Sequence, residues 1–219
     1  MMKVLSKIYW KFYPGINTKV VYLQRYICCF KLTEDIVHKT YGLDVKYLDY
    51  DSDSDLQQWC DVINNSYDDC FYDIPKARKF LKKHPIFENG RTALFIKDSI
   101  PCATVSYGGF KANPNVGGDY RIGVRNEYQG NGLGTMCVEF AYSRLAEQGY
   151  RLGESIITIK RSRSILLHFS LGFEPQFDMR YVTYKDNLKN INFIQKIRLI
   201  ILLRKYYNQH KLILKNSFR

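Results

Sequence analysis

The sequence predicts a mixed α/β layer fold, and two features carry that prediction. Short strand-like runs bounded by turn residues alternate with apolar stripes at helical spacing through the middle of the chain. One such run ends in a glycine cluster that opens a long helical stripe. A hydrophobic fraction of 46%, with 15% aromatic residues, supplies a packed core and excludes wholesale disorder or a collagen-like repeat. The longest uncharged apolar run, Leu199 to Leu203, falls far short of the roughly 20 residues that cross a bilayer.

The elements follow in order. Asp44 to Tyr50 alternates polar and apolar residues, as a half-buried strand does. Ser54 with Gln57 three residues on has the form of a capping box, and Leu56, Trp59, Cys60, Ile63 and Tyr67 behind it repeat at helical spacing. A second helix is expected from Pro75 to about Lys83. Thr92–Ile96 and Cys102–Tyr107, joined through Lys97 to Pro101, form a predicted hairpin. Gly108-Gly109 and Asn113 to Gly118 are expected as loops, and Tyr120 to Val124 as a strand. Leu133, Met136, Cys137, Phe140, Ala141 and Leu145 then define an amphipathic helix that Gly149 stops. Ser155 to Ile159 is β-branched on consecutive positions, like a strand covered on both faces. A helix from Ser162 to Leu171 ending at Gly172, and a last strand at Tyr181 to Tyr184, complete the set.

The chemistry concentrates in Ile122-Gly123-Val124-Arg125-Asn126-Glu127-Tyr128-Gln129-Gly130-Asn131-Gly132-Leu133-Gly134. A strand runs into a glycine-rich turn whose last glycines open a helix, so backbone N–H groups and a positive helix terminus converge on one point, which suits phosphate. Gly134 is followed by Thr135 with no lysine, which excludes the Gly-x-x-x-x-Gly-Lys-Ser/Thr phosphate loop. The spacing of Gly130, Gly132 and Gly134 does not fit the dinucleotide-binding fingerprint.

It does fit Gln/Arg-x-x-Gly-x-Gly/Ala, and through Gln129 to Gly134 the chain resembles the GCN5-related N-acetyltransferase (GNAT) superfamily. Ser162 to Phe173, ending Leu167-His168-Phe169-Ser170-Leu171-Gly172-Phe173, is similar to the family's second signature in the same register. The resemblance implies a mixed, mostly antiparallel sheet flanked by helices, with splayed central strands. It implies an N-acetyltransferase acting by direct transfer from acetyl-CoA to an amine, without a metal. Ile122, Gly123 and Val124 would then meet the pantetheine amides, and Gln129, Gly130, Asn131, Gly132, Leu133 and Gly134, with Thr135 behind, the pyrophosphate.

The chain departs from the family pattern at three positions. The tyrosine that often protonates the departing thiolate falls on His168, a candidate general acid of suitable chemistry. The usual asparagine corresponds to Arg161 and the usual alanine to Ser164; Arg161 and Arg163 are candidates to pair with a CoA phosphate. For the base that deprotonates the amine, Glu154, Tyr107 and Asp119 are candidates by position, a water relay stands beside them, and Glu127 is expected to face solvent or cap the helix. Tyr72, Tyr107, Tyr120 and Phe110 are candidates for lining the acceptor side. A CoA-binding module acting only through its basic ends is the reading from another class.

The net charge of +12 belongs to those ends. Residues 1–35 carry +4, residues 185–219 carry +8, and the block between is neutral. This divides the chain into a basic aromatic N-terminal extension, 1–42, an acetyltransferase-like domain, 43–184, and a basic apolar tail, 185–219. On a helix over 193–207, Lys196 and Arg204 fall within the face of Phe193, Ile197, Ile200 and Tyr207. That argues for a tail packed on the body over a dedicated site for nucleic acid, and leaves peripheral contact with an anionic membrane as its other use. The expected partner is a small-molecule or peptide amine; neither its identity nor an oligomeric state follows from these motifs. Six cysteines without metal-ligand spacing, and an N-terminus with Lys3, Lys7 and Lys11 among its apolar residues, point to a reducing cytoplasm.

Overall fold

The computed structural model describes residues 20–68, 70–158 and 161–175. The chain divides into two compact units, a larger one of 22–156 with 167–176 and a smaller one of 1–21, 157–166 and 177–219. Of the smaller unit the described residues are the start of one strand, the end of another and the first part of a helix. Packing and site geometry below concern the larger unit.

The elements are β1 (Val20–Tyr26), α1 (Glu34–Tyr41), β2 (Asp44–Tyr47), α2 (Asp53–Ser66), α3 (Ile74–Lys82), β3 (Phe87–Lys97), β4 (Ile100–Phe110), β5 (Asn113–Val124), α4 (Leu133–Glu147), β6 (Leu152–Thr158), α5 (Ser162–Ser170) and β7 (Glu174–Pro175). The strands form one sheet in the order β2-β3-β4-β5-β6-β1-β7. The pairs β2–β3, β3–β4, β4–β5 and β1–β7 are antiparallel, and β5–β6 is parallel. This is the mixed, mostly antiparallel sheet with flanking helices that the motifs implied. Among the described residues no helix is long and apolar enough to cross a membrane.

Helix ends follow local chemistry. Thr33 caps α1 by accepting from Ile36 N, and Gly42 at φ +63° ends it. Asp73 caps α3 through Lys76 N at 2.8 Å, with Pro75 in its first turn. At α2 the cap is Ser52, which accepts from Asp55 N at 3.3 Å. Gln57 donates instead to Asp61 at 2.7 Å, so the expected Ser54/Gln57 box does not form.

The core has two faces. Leu94 joins Leu56, Trp59, Ile63, Ala77 and Leu81 of α2 and α3, while its neighbour Phe95 meets Phe140 of α4 edge-on, with centroids 5.2 Å apart. Successive strand side chains point to opposite faces, so α2 and α3 cover one side of the sheet and α4 the other.

Several expectations need correction. Gly108-Gly109 and Asn113 to Gly118 are strand, not loop. Composition marks these glycines as flexible, but here they permit close approach: a Cβ on Gly117 would come within 2.8 Å of Leu145 of α4, and one on Gly118 within 2.6 Å of the Phe110 ring. The hairpin turn is the pair Asp98-Ser99, both left-handed at φ +49° and +65°. The first predicted strand stops at Tyr47, and β1 and α1 are elements to which the sequence reading assigned no structure. Cys60, Cys102 and Cys137 are core residues, whereas Cys28 and Cys29 are exposed. The strand expected at 181–184, the 193–207 helix and residues 1–19 of the N-terminal extension lie outside the described residues.

Candidate active site

The glycine loop is built from the end of β5. Arg125 N bonds Cys102 O at 2.9 Å, a short 3₁₀ turn spans Asn126–Tyr128, and Asn126 N is held by Asn65 Oδ1 at 2.7 Å. Gln129 braces the turn by donating through Nε2 to Val124 O at 3.1 Å and Asn126 Oδ1 at 2.9 Å. Gly130 and Gly132 are both left-handed, at φ +86° and +78°, which explains glycine at each. Among the described residues a Cβ on either would meet nothing within 4 Å.

Gly132 is the N-cap of α4 and offers no side chain to its first turn; the first bond of the helix is Met136 N to Gly132 O at 3.0 Å. Leu133, Gly134 and Thr135 therefore present N–H groups that no capping side chain satisfies. Together with the helix dipole, worth about half a positive charge, they are donors that could receive an anion. At Gly134 a Cβ would sit 3.0 Å from Leu167, so this glycine sets how closely the start of α4 approaches that side chain.

The strands before the loop part where such a site needs room. Parallel pairing of β5 and β6 runs from Val116↔Leu152 to Asp119↔Ser155 and ends there, while β5 continues to Val124. At the same point β5 carries a bulge. Ser106 pairs with Arg121 and Tyr107 with Asp119, leaving Tyr120 as the extra residue. Before the bulge Gly117 and Asp119 face α4; after it Tyr120 and Arg121 both join the aromatic side chains of α2, α3 and the segments that follow them.

The sequence-named acids and bases are placed as follows. His168 and Asp119 meet in the core, His168 Nε2 at 3.3 Å from Asp119 Oδ1, with side chains 0% and 6% exposed. Tyr142 donates to the same oxygen at 2.6 Å, and the Ser155 side chain also bonds the carboxylate. Burial alone would raise the Asp119 pKa, but the His168, Tyr142 and Ser155 partners outweigh it and hold the carboxyl below the ordinary range. Burial, with the neighbouring carboxylate, pushes the Tyr142 hydroxyl well up. With Asp119 ionised, His168 Nε2 is a donor to it. Glu154 is buried at a paired position opposite Gly118 and accepts from Gln24 Nε2 at 2.5 Å. Tyr107 is 1% exposed, and burial raises its hydroxyl far above neutrality, which removes it as a base at neutral pH. Glu127 is exposed beside Arg125 at 3.7 Å. Arg161 precedes α5 and Arg163 and Ser164 lie in its first turns, all within the smaller unit.

A family model described as the acetyltransferase (GNAT) family matches residues 56–173, more than half of the chain. The chain belongs to that family. The match begins in α2 and ends at Phe173, taking in the loop, α4 and both motifs. Among solved structures, a GCN5-related N-acetyltransferase from Kribbella flavida is 16% identical with a TM-score of 0.51, over 78% of this chain and 60% of that one. Another from Sphaerobacter thermophilus is 10% identical with a TM-score of 0.52, over 79% of this chain and 53% of that one. The chain thus spans about three fifths of the first and about half of the second, and at these identities the likeness is one of fold. Comparison with curated protein sequences gives no match.

On the other face, this GNAT domain gathers aromatic side chains that sequence reading only partly named. Tyr120 lies 4.4 Å from His84, 4.8 Å from Phe87 and 5.9 Å from Phe80, centroid to centroid. Tyr72 lies 5.0 Å from Trp59 and 5.5 Å from Phe80. Tyr72 and Tyr120 are half-buried, whereas Tyr107 and Phe110 are core. Tyr67 donates its hydroxyl to Ile122 O, one of the strand carbonyls expected at the pantetheine. Tyr67, His84 and Arg121 were missed; the adjacent Tyr120-Arg121 pair was the available signal, but only the bulge brings both to one face.

His84 makes the cluster pH-sensitive. Its Nδ1 accepts from Ile86 N and Phe87 N at 3.3 Å each, and burial, with the charges of Arg121 and Lys111, pushes its pKa down to about 4. The unfolded imidazole takes its proton near pH 6.5 and the folded one only near 4, so the unfolded state binds more protons in between. Stability is therefore expected to fall on acidification from about pH 6.5 to 4. Urea midpoints against pH should show a flatter slope there for His84→Asn, which retains an acceptor for the two amides; an unchanged slope would contradict this.

Proposed function

We propose that this GNAT domain is an acetyl-CoA-dependent N-acetyltransferase that passes the acetyl group directly to an amine. One observation carries the reading: the uncapped N-terminus of α4, behind left-handed Gly130 and Gly132, follows the strand β5 beyond the point where its parallel pairing with β6 ends. The donors are backbone N–H groups, no described residue lies within 4 Å of a Cβ at either glycine, and both suit a pyrophosphate. Gln129 to Gly134, with Thr135, would hold that group, and the backbone of Ile122 to Val124 the pantetheine amides.

Acetyl-CoA supplies the acetyl group as a thioester. In this reading the deprotonated amine attacks the carbonyl carbon, the C–N bond forms, the C–S bond breaks, and the amine gives up a proton as the thiolate leaves. Gln129 fixes the loop for that geometry, and the carbonyl of Ile122 is oriented by Tyr67. His168, enclosed with Asp119, serves here as a positioning residue that ties α5 to β5. Proton removal from the amine passes through water, since Asp119 and Glu154 are both engaged inside the core.

The test is thiol release from acetyl-CoA with a panel of small amines and peptide N-termini. Amine-dependent release is expected. Tight CoA binding with no amine-dependent release would instead support the binding-module reading.

A further inference from the structure

The bulge at Tyr120 delivers a cation to the acceptor face. Arg121 is half-buried, its Nη2 donates to Tyr72 Oη at 2.8 Å, and its Cζ lies 5.9, 5.4 and 5.0 Å from the ring centroids of Tyr67, Tyr72 and Phe80. Its Nε is buried without an acceptor, and no carboxylate pairs with it among the described residues. A guanidinium has five N–H donors in a fixed fork, and aromatic faces stabilise its charge without accepting those hydrogens. Apart from the bond to Tyr72, the fork has no protein acceptor among the described residues, and its Nε is buried, so a carboxylate could take up the donors left over here.

Lys111 donates to His84 O at 2.7 Å and adds a second positive charge nearby, and burial, with both cations, keeps His84 neutral at physiological pH. In the chain Arg121 stands between Tyr120 and Ile122, on the part of β5 beyond its last residue paired with β6.

We infer that Arg121 is an acceptor-specificity residue that receives the carboxylate of an amine bearing one, such as an amino acid, with the rings of Tyr67, Tyr72 and Phe80 against its apolar part. A planar carboxylate matches one guanidinium fork, and a single Arg is the minimal way to select it. This rests on the transferase reading above. It goes further by naming the class of amine.

The experiment compares kcat/KM for aliphatic and aromatic amino acids, their carboxamides and the matching aminophosphonates, with acetyl-CoA held constant. The wild type is expected to prefer the carboxylate to the carboxamide by at least about tenfold, since a hydrogen-bonded charge is worth roughly 1.5–3 kcal/mol. Arg121→Gln is expected to lower kcat/KM for the carboxylate by about a hundredfold, chiefly through KM, with acetyl-CoA affinity by calorimetry unchanged. Arg121→Lys, which keeps the charge and loses the fork, should fall between. Equal use of carboxylate and carboxamide by the wild type, or a preference for the phosphonate, would overturn the inference while leaving the transferase reading intact. Failure to acetylate any amine would overturn both.

Discussion

Asp119→Ala is expected to destabilise the fold by about 3–5 kcal/mol, measured by urea unfolding. The carboxylate lies inside the protein and answers at least three groups, the His168 imidazole, the Tyr142 hydroxyl and the Ser155 side chain. His168 and Tyr142 are both 0% exposed, so removing the acceptor strands two donors that water cannot reach without opening the core. Asp119→Asn keeps an oxygen acceptor and should cost less. The two variants also differ from the wild type in pH dependence. Because the folded pKa of Asp119 lies below its unfolded value of 3.8, its contribution is present above that value and is lost as pH falls through the folded one. Both variants should therefore lose stability less steeply than the wild type below about pH 4. A cost under about 1 kcal/mol for the alanine would mean that the network is incidental.

Gly132→Glu should weaken acetyl-CoA binding by about a hundredfold. Two effects add. The backbone at φ +78° costs an L-residue about 1–2 kcal/mol, and a carboxylate at the mouth of α4 opposes a pyrophosphate a few ångströms away. Among the described residues a Cβ there meets nothing within 4 Å, so neither effect is a clash with them. Gly132→Ala separates the two, because it carries the backbone cost alone. Higher salt should narrow the gap between Glu and Ala, as screening reduces the charge effect. Equal affinity of Gly132→Glu and wild type would place the anion elsewhere.

What the sequence disclosed was local. The path from Ile122 through the glycines into the stripe of Leu133, Met136, Cys137 and Phe140 is written in contiguous residues, and the structure places strand, turn and helix there. What it hid depends on partners far away in the chain. Gly108, Gly109, Gly117 and Gly118 resemble loop residues because composition cannot distinguish a flexible glycine from one that admits Leu145 or Phe110. His168 reads as a candidate general acid by analogy, and nothing local in the sequence shows that it is buried against Asp119, 49 residues earlier. The bulge at Tyr120 left no trace in the pattern, since Gly117, Gly118 and Gly123 carry no side chain to report which face is which. The aromatic cluster around Arg121 was for that reason the least legible part.

The most direct measurement of the central claim, that the loop and α4 terminus hold acetyl-CoA by its pyrophosphate, is calorimetric titration of the wild type with acetyl-CoA and with pantetheine, which lacks that group. The account predicts micromolar affinity for acetyl-CoA and far weaker binding of pantetheine. Equal affinities for the two, or acetyl-CoA binding only at millimolar concentrations, would contradict it.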